Sequence, residues 1–177
     1  MRLLLPVAAM LCLFAACQPA VETTLAETNV RYGTWSDEKL FALLPEQALQ
    51  AVCDFNTQPK VLDSLSSSYS QCTSNIMVYR GKNGFILKDN TTECQSIGRS
   101  DDLVYYDKSG LPVAHLVWRY LPVADLTMQT LILFEKGKYS AAYSRSAQGK
   151  EADLLSQEDF ADYQPILGEE RVDRYEL

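Results

Sequence analysis

One histidine in 177 residues is very little, and that scarcity removes several chemistries before any motif is sought. His115 has no second histidine to share a metal with, and Cys53, Cys72 and Cys94 stand 19 and 22 positions apart with no close pair among them, so zinc is not expected. A serine nucleophile needs a base to take its proton. The serine-rich stretch around Ser64, Ser66, Ser67 and Ser68 sits in no Gly-x-Ser-x-Gly elbow and has no spare histidine to serve it. Phosphate loops and dinucleotide glycine fingerprints are missing too. Positive charge is also scarce: 16 Lys+Arg stand against 23 Asp+Glu, a net of -7. Nucleic acid is therefore repelled rather than gathered. The adjacent carboxylates Asp101-Asp102 and Glu169-Glu170 would point apart as strand or turn neighbours, which suits solvation better than paired acid/base work. The chain reads as a non-enzyme with no cofactor and no metal.

The N-terminus is more specific. Arg2 supplies a positive charge, Leu3 to Phe14 form an apolar run broken by Pro6, and Ala15-Ala16 are the small residues of a cleavage point. That is the pattern of a secretory signal. Its apolar run is shorter than the roughly 20 residues a helix needs to cross a bilayer, and no later stretch reaches that length. Phe14-Ala15-Ala16-Cys17 resembles the lipobox of bacterial lipoproteins, with Phe where Leu is usual. The resemblance covers residues 1–17 only. It implies that Cys17 becomes the acylated N-terminus, carrying palmitate-type chains, and two or three such chains hold a protein firmly on a membrane. With Gln18 rather than Asp after the cysteine, it also implies an outer-membrane lipoprotein of a Gram-negative envelope, facing the periplasm.

Loss of residues 1–16 removes Arg2 and no acid, so the net charge moves from -7 to -8. What remains is one domain's length, enough to bury a core. We divide the chain into a signal peptide (1–16), an acylated cysteine with a small, polar tether (17–30), and one domain (31–177). Acidity is uneven: residues 18–150 hold 13 Lys+Arg against 14 Asp+Glu, whereas residues 151–177 hold two against nine. Glu151, Asp153, Glu158, Asp159 and Asp162 are therefore candidates for steering a basic protein partner, although a solvated tail is the blander account. Cys53, Cys72 and Cys94 remain for an oxidising compartment, where one disulfide is expected and one thiol is left over, buried and inert. Cys72 with Cys94 would clip a hairpin; Cys53 with Cys72 would tie a helix end to a strand. We favour the first.

Along the domain, Trp35-Ser36-Asp37-Glu38 opens a helix running to Leu44. Pro45 either kinks it or starts a further turn ending near Cys53. Residues 56–74 are rich in Ser, Thr, Asn and Gln and read as loop. From Asn75 the pattern is a β meander. Its strands are 76–80, 85–88, 103–106, 113–120, 126–135 and 138–145, with turns at Gly81-Lys82-Asn83-Gly84, Asp107-Lys108-Ser109-Gly110 and Lys136-Gly137. Ser156 caps a short C-terminal helix. The expected fold is α+β: a mostly antiparallel sheet of about six strands, packed with an N-terminal helix and a short C-terminal one. His115 with Arg119 on one strand face could bind an anion, though a hydrogen-bonded histidine is the simpler state. Tyr105, Tyr106, Trp118, Tyr120, Tyr139 and Tyr143 could form a binding platform, though packing accounts for most of them.

These readings lead to a membrane-anchored, non-catalytic protein-binding lipoprotein of inhibitor or immunity type. The alternative is an accessory lipoprotein subunit of an envelope assembly or secretion machine, docking through its tether and a sheet edge.

Overall fold

A computed structural model describes residues 37–55, 59–95, 98–148 and 160–166. The signal peptide, Cys17, the tether and the Ser156 cap lie outside the described residues. The described chain is one antiparallel sheet of eight strands in the order β1 to β8, with every strand beside its sequence neighbour. In chain order the elements are α1 (Glu38–Phe41), α2 (Glu46–Asp54), β1 (Lys60–Tyr69), β2 (Cys72–Arg80), β3 (Ile86–Cys94), β4 (Gly98–Tyr106), β5 (Pro112–Leu121), β6 (Leu126–Glu135), β7 (Lys138–Gln148) and β8 (Gln164–Pro165).

This overturns the expected α+β balance. The fold is sheet-dominated, with eight strands rather than about six, and its helices are one turn and a little over two turns long. The physical reason is visible at each misread stretch. The first helix stops at Phe41 because α1 has only the Asp37 cap, whose carboxylate accepts from the Leu40 N–H at 2.9 Å, and the chain then turns toward Pro45. Proline has no N–H to donate to a preceding turn, so it can start α2 but cannot continue α1. Residues 60–69, read as loop, are a full strand. After Phe160 the chain is extended and adds the two-residue β8 to β7, through Tyr143↔Pro165 and Ser144↔Gln164.

The hairpin turns agree with the sequence reading. At Lys136-Gly137 both residues have positive φ, 53° and 75°, the backbone of a two-residue turn whose twist matches the strands it joins. At the second turn, the Asp107 carboxylate accepts from the N–H groups of Ser109 (2.8 Å) and Leu111 (3.0 Å). Burial pushes its carboxyl up, but the Ser109 hydroxyl, which donates at 2.7 Å, together with these two N–H groups and Gln47 holds it below the usual carboxylate range.

One face of the sheet is covered by the helical segment. Leu40, Leu44, Ala48, Ala51, Val52 and Phe55 pack on Leu87, Leu103, Tyr105, Leu116, Leu131 and Leu133, and all are buried. α2 lies over β4 and β5, and Phe55 meets Tyr105 edge to face at 5.9 Å between ring centres. A smaller apolar cluster of Ile132, Phe134 and Ala142, joined by Tyr139, occupies the opposite face. β5 is accordingly buried on both faces, at Val113 and Val117 as well as Ala114, Leu116 and Trp118, which is why its hydrophobic alternation is incomplete.

Candidate functional site

The sheet ends differently on its two sides. On one side β8 covers part of the outer edge of β7, and Pro165 in β8 offers no N–H beyond it. On the other side β1 bonds to β2 alone, and no described element pairs with its outer edge. All ten of its residues are exposed. Val61 (50%), Leu62 (42%), Leu65 (61%) and Tyr69 (86%) are four of the seven large apolar side chains left in solvent among the described residues.

The β1 edge is guarded along half its length. Its register on β2 shifts between Val61 and Asp63, a bulge that bends the first part of the strand. Just beyond, the Asp63 carboxylate accepts from the backbone N–H of Ser64 at 2.8 Å. Ser64 thus directs its N–H outward, away from β2. Ladder alternation gives Ser66 and Ser68 the same outward direction. Bulges and edge charges are how native sheets discourage unwanted pairing. From Leu65 to Tyr69 there is neither, and the strand offers backbone groups and two apolar side chains to solvent.

The hairpin behind this edge is held rigidly. Cys72 opposes Cys94 across β2 and β3, and the two form a disulfide with Cα atoms 4.1 Å apart. This is the pairing favoured from the sequence. Cys53 is not the inert thiol expected: it too is disulfide-bonded. Side chains add cross-strand bonds, Ser66 Oγ to Asn75 at 2.7 Å and Ser74 Oγ to Asn90 at 2.9 Å.

The other candidates resolve into structural roles. His115 Nε2 lies 3.1 Å from Asp102 Oδ1, and Ser100 Oγ donates to the second carboxylate oxygen at 3.1 Å. Asp102 therefore stands between Ser100 and His115, so the serine is not activated by the ring as a nucleophile would be. Burial favours the neutral acid at Asp102, but the His115 hydrogen bond and charge, with Ser100 and Arg119, outweigh it and lower the pKa. The simpler histidine state is the one present. Of the aromatic set, Tyr105, Tyr106 and Trp118 are buried and Tyr120, Tyr139 and Tyr143 partly so, which makes it packing and not a platform. Burial pushes the Tyr106 hydroxyl up to about 12. Among the described residues no group of His, Cys, Asp or Glu is placed to hold a metal ion.

Of the acidic candidates, Glu151, Asp153, Glu158 and Asp159 lie outside the described residues. Asp162 is exposed and paired with Lys39 at 2.6 Å, and that lysine lowers its pKa. Its charge is already compensated locally. The β1 edge is what sequence reasoning missed; the only signal was the set Val61, Leu62 and Leu65 inside an otherwise polar stretch. No protein-family model matches the chain, and neither a curated protein nor a solved structure gives a significant match.

Proposed function

We propose that this chain is a lipid-anchored, non-catalytic protein-binding module whose docking element is the open edge of β1. The observation that supports docking is the exposed run from Leu65 to Tyr69, a strand with outward backbone groups and apolar side chains that a polypeptide can pair with. Between the two kinds of lipoprotein considered, this favours a subunit that docks through a sheet edge over an inhibitor that docks through its acidic segment. The anchor rests on the resemblance of residues 14–17 to a lipobox.

Two experiments test the two halves separately. Changing Cys17 to Ser should move the protein from the membrane to the soluble envelope fraction; continued membrane association ends the anchor reading. A photoreactive residue in place of Ser68 should cross-link to protein in intact cells, and Ser66→Pro, which deletes one outward N–H, should abolish the adduct. If no adduct forms from Ser68, the docking reading fails.

A further inference from the structure

We propose that the polypeptide received at the β1 edge is a second copy of this chain, with the two β1 strands antiparallel about a two-fold axis at Ser67. This rests on the reading of β1 as a docking edge and names its occupant.

The register follows from which groups are already used. Asp63 holds the Ser64 N–H, and the bulge sits between Val61 and Asp63, so the open outward groups belong to Ser66 and Ser68. Two antiparallel copies satisfy all of them in one register. Ser66 opposes Ser68 of the partner, Ser68 opposes Ser66, and each pair exchanges both N–H···O bonds. The Asp63 cap and the bulge are left undisturbed beyond the ends of the pairing.

The side chains support the same register. Leu65, Ser67 and Tyr69 lie on one face of β1, opposite Ile76, Ser74 and Cys72 of β2. In the dimer Leu65 faces Tyr69 of the partner, and Tyr69 faces Leu65. The two most exposed apolar residues of β1, at 61% and 86%, thereby cover each other. Aliphatic–aromatic pairs of this kind are the favourable unit of sheet pairing. Charge raises no objection: the only ionisable side chains of β1 besides Tyr69 are Lys60 and Asp63, both near one end, and the antiparallel arrangement sends them to opposite ends of the joint. A parallel arrangement would put Asp63 beside Asp63. The result is an isologous contact, which closes on itself and leaves no further open strand in the joint. The overlap is short, so the dimer is weak in dilute solution and favoured where the chains are concentrated on one membrane.

The test uses the full-length protein in intact cells. Ser67 opposes its own copy at a position without backbone bonds between the residues, the closely spaced kind of pair that Cys72 and Cys94 already bridge within the chain. Ser67→Cys should give a disulfide-linked homodimer on a non-reducing gel. Val123→Cys, placed at a fully exposed turn residue, reports random collision. Adding Leu65→Lys and Tyr69→Lys to Ser67→Cys should bring the dimer down to the Val123→Cys level. Leu65→Glu with Tyr69→Lys, which sets Glu against Lys across the axis, should restore it. These positions are exposed, so folding is spared. If Ser67→Cys dimerises no more than Val123→Cys, or the lysine pair has no effect, the homodimer is overturned. If the Ser68 photo-adduct is then found on a different protein and is lost with Ser66→Pro, docking at β1 survives without self-pairing. If it is absent, both readings fall.

Discussion

The Asp37 carboxylate accepts from the guanidinium of Arg145 across 108 positions of sequence, and both side chains are buried. Asp37 is also the N-cap of α1, so one carboxylate starts the helix and ties it to β7. Arg145 is further fixed by Gln129, to whose Oε1 it donates at 2.6 Å, and by the rings of Phe160 and Tyr163, 4.7 and 4.3 Å from its guanidinium carbon. The two ends of the described domain therefore meet at one arginine.

Arg145→Leu leaves the Asp37 carboxylate buried without its cation, a change that costs about 3–5 kcal/mol in comparable cases. Urea unfolding should show that loss. Arg145→Leu combined with Asp37→Asn should cost clearly less than the sum of the single changes, because the stranded charge is gone. Additive losses would mean that the pair is not coupled.

The parts of this fold that can be read from sequence are those where local chemistry decides. The turns at 107–110 and 136–137 and the strand stretches 76–80, 86–88, 103–106, 113–120, 126–135 and 138–145 follow from Gly, Asp and apolar residues, whereas the polar stretches 89–94 and 98–102, which complete β3 and β4, carry no such local signal. β1 was not legible because both its faces are in solvent: Ser64, Ser66, Ser67 and Ser68 carry no period, and such a strand is specified by its hydrogen bonds to β2. The Arg145 cluster was hidden for another reason. Asp37, Gln129 and Arg145 come from three separated segments, and nothing local marks them as partners. Arg145 looks like any strand arginine until β6, β7 and α1 are assembled.

Acid should weaken the fold partly through Asp102. Its pKa is lowered in the folded protein, so the stability it contributes is present above the ordinary carboxylate pKa of 3.8 and is lost as pH falls below that value through the folded pKa. His115→Ala removes the largest lowering influence and leaves burial, which acts the other way. Carboxyl NMR titration should then show the Asp102 pKa higher than in the unaltered protein. An unchanged value would mean that Ser100 and Arg119 suffice.

At the opposite pH extreme Tyr106 matters. Its hydroxyl is pushed up to about 12 by burial, so the unfolded chain ionises first and stability falls as pH rises from about 10 to 12. Tyr106→Phe should flatten that part of the stability profile, measured by urea unfolding at each pH.

The Cys72–Cys94 bridge should act mainly on the strands at the open β1 side of the sheet. Its loop spans 22 positions, and bridges of that size contribute about 3 kcal/mol when unstrained. Changing both cysteines to Ser should lower global stability by up to that amount. Amide exchange should speed up most in β1 and β2, because β1 has no other neighbour among the described strands. Equal acceleration throughout the sheet would show that the hairpin does not open separately.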